Sequence, residues 1–299
     1  MKIEQAYSTM SQILNLSDER EVVENCVNTL EDLSYFEKNC KALSDTDGMI
    51  GGFTRVLKAG IVAEGDNLQG GSLFLDPPLL GLEGRISMLG AIVNISYYGD
   101  DSVKATLFHS PGLMACLVRI LLMAGLGQEV SEENVITLDE GSRVAGAELP
   151  VAVIGAEAIR KEASDYEREG TRMDGVGVWV VTVILNISCC DEVRMRLVEQ
   201  EGLISLLVAM AGQGQSGGNA KIRERAVWAL FYIADGSTDV RTALFNSPGL
   251  LACVEEIIRH PESDGTITKE RAKMLREKIT STPPESIIMR MTCLSCLRS

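Results

Sequence analysis

Histidine is nearly absent from this sequence of 299 residues, which contains only His109 and His260. Aromatic residues are also few, at 5%, although 45% of the chain is hydrophobic. An apolar chain with so few aromatic residues favours helices packed on helices over a β-sandwich. A catalytic histidine needs a positioned partner, and the sequence offers none for His109. We therefore expect an all-α protein that is not an enzyme.

Positive charge is in deficit, because 28 basic residues face 42 acidic ones and the formal net charge is −14. The sequence has no basic patch or stripe of the kind that nucleic-acid-binding proteins carry. An anionic membrane surface would repel such a chain. We expect no nucleic-acid partner. The charge favours a partner protein with a basic segment, although an acidic surface also serves solubility alone.

Long apolar runs are missing, and none reaches the ~18–20 residues that span a bilayer. The first residues lead into polar sequence, so no signal peptide and no integral membrane span are expected. The eight cysteines are then expected to be reduced thiols in a cytoplasmic or nuclear protein. Their spacing fits no zinc site, so we expect no metal and no cofactor.

The chain does contain an internal repeat. Residues 107–118 and 244–255 match at eight of twelve positions without a gap. A more divergent third copy aligns when Gly202 is set against Gly112 and Gly249, with apolar residues three to five apart on either side. This pattern predicts a short helix, a glycine corner and a middle helix.

A longer apolar stretch precedes each copy and ends in a similar way. Two of these stretches end in Asn-Ile-Ser, at residues 94–96 and 186–188, and the third ends at residues 232–234. Acidic residues follow and suit the start of the next helix. The distance from Gly202 to Gly249 is 47 residues, which lies within the ~40–47 of armadillo and HEAT arrays.

The stretch at residues 226–234 resembles the third helix of an armadillo repeat, and residues 202–208 resemble its glycine and second helix. The resemblance implies a right-handed α-solenoid of about three to four armadillo-like repeats. It covers 84–125 and 174–260 well. A first copy is predicted at 22–34, 36–43 and 48–57, although Gly51 and Gly52 disfavour a helix there.

Two insertions interrupt the predicted solenoid, which spans residues 1–280. The first, at 60–84, is rich in glycine and proline and indicates a loop. The second, at 126–175, holds twelve acidic and five basic residues. This insertion either competes with ligands for the concave groove of the solenoid or is a solvated spacer. A helix is expected over 269–279 as a polar cap, followed by a flexible tail at 281–299.

The resemblance also implies where a partner binds, because long helices line the concave groove of armadillo arrays. In the nuclear-import adaptors, tryptophan and asparagine one turn apart bind an extended peptide. That pattern is broken here, since Tyr232 stands four residues after Trp228 in place of asparagine, and Gly90 stands four residues before Asn94 in place of tryptophan. Two interpretations stay open for Asn94, Asn186, Trp228 and Tyr232: they bind a partner segment, or they cap and pack helix ends.

The sequence thus predicts a non-catalytic scaffold that binds another protein. One alternative is a chaperone-associated module that resembles armadillo-type exchange factors. A second uses Cys293 and Cys296 in the tail, as lipidation sites of a membrane-tethered scaffold or as a redox pair. Arginine replaces an aliphatic residue in the last four positions, which weakens the lipidation signal.

Overall fold

A computed structural model describes residues 2–62, 79–126, 170–200, 202–212, 220–259 and 265–281. These residues form fourteen helices and contain no β-strand. In chain order the helices are α1 Lys2–Leu16, α2 Arg20–Ser34, α3 Glu37–Asp45, α4 Met49–Val62, α5 Leu82–Tyr98, α6 Asp101–His109, α7 Leu113–Leu126, α8 Gly170–Ser188, α9 Asp191–Glu199, α10 Leu203–Gly212, α11 Ala220–Ile233, α12 Thr238–Phe245, α13 Leu250–Arg259 and α14 Gly265–Thr280.

The helices repeat in the order short, middle, long. This unit occurs four times in the described residues, as α3–α5, α6–α8, α9–α11 and α12–α14, and α1 and α2 form an incomplete unit before it. Helices of the same type contact each other from unit to unit, so long packs on long, middle on middle and short on short. The expected all-α solenoid is confirmed.

A glycine with a positive φ stands before each middle helix. Gly48, Gly112, Gly202 and Gly249 have φ between 73° and 81°, and no other described residue has a positive φ. An L side chain disfavours this left-handed conformation by about 1–2 kcal/mol, so glycine allows the sharp corner between the short and middle helices. Gly48 also shows that the predicted first copy is real.

The prediction that Gly51 and Gly52 disfavour a helix is wrong for a packing reason. Helix α4 runs through both residues. A Cβ built on Gly52 would lie 2.6 Å from Leu14 Cβ, so glycine lets α4 approach α1 closely. The packing of α4 on α1 at this contact stabilises the helix by more than the low helix propensity of glycine costs. Helix α1 itself was not predicted, although Tyr7, Met10 and Leu14 follow a helical spacing.

Short polar side chains cap two of the four short helices. The Asp100 side chain accepts a hydrogen bond from the Val103 amide, 3.1 Å away, at the start of α6. The Ser237 hydroxyl does the same for the Val240 amide at 3.4 Å. Asp191 and Glu192 lie in the first turn of α9, where negative charge favours the helix dipole. The expected role of these acidic residues is confirmed for the described helices.

Two gaps between described residues fall within the predicted insertions: one runs from residue 63 to 78 and the other from 127 to 169. The helices reach further than the predicted insertions allow, because α4 extends to Val62, α5 starts at Leu82 and α8 starts at Gly170. The expected loop and acidic insertion otherwise lie outside the described residues, as does the tail with Cys293 and Cys296.

Candidate functional site

The long helices α2, α5, α8, α11 and α14 pack side by side in this order and form one continuous layer. In the three central helices, one face packs on the core and two flanks pack on the neighbouring long helices. The remaining strip we call the groove face. In the three central helices it comprises these equivalent positions: Ile86, Gly90, Asn94 and Tyr97 on α5; Val178, Thr182, Asn186 and Cys189 on α8; Glu224, Trp228, Tyr232 and Asp235 on and after α11.

Asn94 and Asn186 join neighbouring long helices. The Asn94 amide group donates to the Ser34 hydroxyl at 2.9 Å. Asn186 donates to the equivalent Ser96 hydroxyl at 3.0 Å and is only 8% exposed. The structure therefore engages both amide groups in the packing of helix ends, which was one of the two interpretations. Their contribution to partner binding stays a prediction.

Trp228 and Tyr232 are half-buried on the groove face of α11. The Arg271 guanidinium from α14 lies 4.7 Å from the centre of the Trp228 ring. The Trp228 indole nitrogen is buried and has no hydrogen-bond partner among the described residues. The Tyr232 ring packs edge-on against Phe231, with centroids 5.5 Å apart. A cation from the same chain thus already covers the tryptophan that the sequence singles out.

Helix α14 confirms the expected helix at 269–279 but carries more than a polar cap. It holds five basic and two acidic residues. The Lys278 ammonium lies 3.6 Å from the centre of the Phe231 ring and pairs with Asp235. Arg271 also lies over Phe231, at 4.8 Å. These cation–π contacts stabilise the packing of α14 on α11.

The opposite end of the layer has the opposite charge. Helix α2 holds one basic and four acidic residues. The Glu24 carboxylate accepts a hydrogen bond from the Gly81 amide at 2.9 Å and pairs with Arg20 at 2.9 Å. These two donors, the Gly81 amide first, lower the pKa of Glu24. The Glu31 carboxylate lies against Gly90, since a Cβ there would be 2.6 Å from Glu31 Oε1.

Exposed aromatic rings follow α2 and end α5. Tyr35 is 58% exposed, Tyr97 66% and Tyr98 40%, and the two α5 rings meet edge-on at 5.0 Å. The negative charge of Glu31, with smaller contributions from burial and Asp32, raises the pKa of Tyr35. Sequence analysis missed these rings. The signal was present, because an aromatic pair follows the equivalent serine in both helices, at 34–36 and 96–98.

The described cysteines and the one described histidine show no catalytic arrangement. Burial raises the pKa of the Cys26 and Cys40 thiols to about 11, and it also raises the pKa of Cys116. Thiols with such a pKa stay protonated near neutral pH and are poor nucleophiles. His109 is half exposed, with Nε2 4.0 Å from Glu192. No group of three histidine, cysteine or acidic residues in the described part could hold a metal ion.

None of the described helices alone combines the length and the apolar composition that a membrane crossing needs. Helices α6 and α7 meet the criterion only when taken together, and they are bent by 77° against each other.

Two features identify the fold. A glycine corner lies between the short and the middle helix of four units, and the long helices stack side by side. It is an armadillo-like repeat fold. No protein-family model matches the chain, and no curated protein matches its sequence.

Three similar solved structures are of engineered or designed proteins. One engineered protein has 15% identity and a TM-score of 0.42, with 93% of this chain and 97% of that chain covered. A designed armadillo repeat protein has 16% identity and a TM-score of 0.40, with coverages of 91% and 99%. Computationally designed armadillo repeat proteins for modular peptide recognition show 17% identity, a TM-score of 0.39 and coverages of 91% and 98%.

Proposed function

We propose that this protein is a non-catalytic scaffold that binds an extended segment of a partner protein along its groove face. The observation that carries the proposal is the contrast between two sets of equivalent positions on the long helices, one in the core and one on the groove face. Core positions stay apolar from unit to unit, as with Ile95, Ile187 and Ile233. Several groove positions vary in size and polarity, as with Gly90, Thr182 and Trp228. Packing in the core dictates the first set and constrains the second less, which favours the second set for recognition.

The dimensions of the layer fit an extended peptide. Five long helices lie side by side, and neighbouring helices in proteins are 8–10 Å apart, so the layer is about 40 Å wide. An extended chain advances about 3.3 Å per residue, so about twelve residues would cross all five helices. This length gives side chains of the partner one contact with each helix.

The charges favour a protein partner over a nucleic acid. The net charge of −14 would repel phosphates, and α2 presents its negative charge beside the groove. A partner with a basic segment would gain long-range attraction to this end, which weakens with added salt. The free cysteines of the described residues agree with the reducing conditions of the cytoplasm or nucleus, where we place this function.

The test is capture of partners from cell extract with two matched variants. Thr182→Arg places a large charged side chain at the centre of the groove face, whereas Ala252→Arg places it on exposed α13. We expect the first change to abolish capture of a specific partner and the second to leave it intact. Capture that survives Thr182→Arg but fails with Ala252→Arg would contradict groove binding and assign binding to another face.

A further inference from the structure

The exposed rings and carboxylates at the α2–α5 end form one surface, the acidic–aromatic patch: Glu31, Asp32, Tyr35, Tyr97 and Tyr98. We propose that this patch binds a lysine or arginine side chain of the partner segment and so holds the basic end of that segment at the first two long helices. The inference rests on the proposed groove function and adds the chemistry and the place of one contact.

The patch is formed by two helix ends that are joined to each other. Asn94 on α5 donates to Ser34, the last residue of α2. Tyr35 is the residue after Ser34, and Tyr97 is three residues after Asn94. The rings therefore project from the same end of the paired helices. Glu31 and Asp32 lie on the turn of α2 that precedes Tyr35.

The fold does not require aromatic residues at these positions. In the next two units, the position of Tyr97 is held by Cys189 and Asp235, and the position of Tyr98 by Cys190 and Gly236. Tyr35 and Tyr97 also keep more than half of their surface exposed to solvent. Large exposed rings that packing does not use are typical of binding surfaces.

The carboxylates give the patch its selectivity for a cation. Within the described residues, neither Glu31 nor Asp32 pairs with a basic side chain. On α3, Lys41 is paired with Asp100 at 2.7 Å. Glu31 lies across Gly90, which brings its charge onto the groove face of α5. A cation here would contact rings and carboxylates together.

The other end of the molecule shows the same recognition completed within the chain. Lys278 lies over the Phe231 ring and pairs with Asp235, so one ammonium group contacts an aromatic face and a carboxylate. The acidic–aromatic patch offers both kinds of group to a cation from outside. An apolar partner would bury the rings but would leave Glu31 and Asp32 without a counter-charge. This argument selects a basic segment as the occupant.

The experiment measures binding of a fluorescein-labelled dodecapeptide of alternating arginine and alanine to the full chain by fluorescence anisotropy. The same peptide with citrulline, which is neutral but similar in shape, is the ligand control. Two variants remove the patch: Tyr35→Ala with Tyr97→Ala, and Glu31→Gln with Asp32→Asn. Phe245→Ala, a ring 42% exposed on α12, and Glu199→Gln, an exposed carboxylate on α9, are the matched controls.

We expect each patch variant to weaken binding of the arginine peptide by about five- to twentyfold, since each ring or charge contributes a few-fold at an exposed site. The control variants change it less than twofold, and the citrulline peptide binds far more weakly. Equal loss in patch and control variants, equal binding of both peptides, or no binding of the arginine peptide would overturn the inference.

Photocrosslinking separates this inference from the groove proposal. A benzoylphenylalanine is placed at Tyr98, at Thr182 or at Phe245, and crosslinks to the arginine peptide are compared. Crosslinks at Tyr98 and Thr182 support both proposals. Crosslinks at Thr182 without Tyr98 overturn the patch and keep the groove, whereas crosslinks at Phe245 alone overturn both.

Discussion

Gly90 and Trp228 occupy the same position in two long helices, yet their surroundings are opposite. At Gly90 the missing side chain leaves room for the Glu31 carboxylate from the preceding long helix. At Trp228 the large ring receives the Arg271 guanidinium from the following long helix. One end of the layer therefore exposes negative charge beside exposed rings, and the other covers its rings with its own positive charge.

This difference shows how one backbone unit produces two surfaces. The units that contain Gly90 and Trp228 share the short, middle and long helices and the glycine corner. The side chains on the groove strip are free of that pattern, so they determine charge and ring exposure separately at each unit. By sequence, α2 has three more acidic than basic residues and α14 has three more basic than acidic ones. The excess charge therefore changes sign from α2 to α14, and we propose that this gives a bound segment one direction along the groove face.

The largest effect on stability is expected when the ring of Trp228 is removed. Trp228→Ala removes a half-buried ring and the surface on which Arg271 packs. We expect the free energy of unfolding to fall by about 2–3 kcal/mol, somewhat less than for a fully buried ring. Urea denaturation measures this, with Phe245→Ala as the exposed control. A loss no greater than that of the control would show that α14 does not depend on this contact.

The next-largest effect on stability is expected at two of the glycine corners. Gly48→Ala and Gly202→Ala both force an L residue to positive φ and should each cost about 1–2 kcal/mol. Gly48 should cost more, because a Cβ there lies 3.1 Å from Ser11 Oγ, whereas nothing lies within 4 Å at Gly202. Thermal unfolding of both variants ranks them. Equal losses would mean that α1 moves away readily and adds no constraint at the first corner.

A smaller effect separates the two asparagines. Asn186→Ala leaves a buried site without its bonds to Ser96 and the Val93 carbonyl, and should destabilise the fold by about 1–2 kcal/mol. Asn94→Ala should cost less, because that residue is only partly buried. If peptide binding falls with Asn94→Ala while stability does not, Asn94 acts in recognition. If only stability falls, packing is its role.

The smallest effect concerns pH at the acidic end. Bonds from the Gly81 amide and Arg20 lower the pKa of Glu24, so its contribution to stability is present above the unfolded pKa of about 4.3. It is lost as pH falls through the lower folded pKa. We expect Glu24→Gln to be slightly less stable than the original at neutral pH, with the difference vanishing in acid. A difference that is constant with pH would assign it to packing.

Periodicity made the repeats predictable, because glycine corners and apolar spacing are local properties of sequence. The same logic found the copy around Gly48 and the helix at 269–279. It missed α1, although Tyr7, Met10 and Leu14 have a helical spacing, because the glycine corner that marks the other units does not precede this helix. It also singled out Asn94 and Asn186 without their serine partners, which lie 60 and 90 residues away in the chain.

The acidic–aromatic patch was missed for a related reason. Its rings follow the equivalent serines of two long helices, but they become one surface only when α2 packs against α5. Contacts such as Arg271 on Trp228 likewise join helices more than 40 residues apart. Sequence reasoning identified the helices that carry the site, whereas its electrostatics depend on which helices are neighbours.

The direction of the groove is tested most directly with a dodecapeptide that has arginine in its first half and glutamate in its second. Benzoylphenylalanine is placed in the full chain at Tyr98 or at Met274, an exposed residue of α14, and the crosslinked half of the peptide is identified by mass spectrometry. The account predicts the arginine half at residue 98 and the glutamate half at residue 274. Crosslinks of both halves at both positions in equal amounts, or the reverse order, would contradict it.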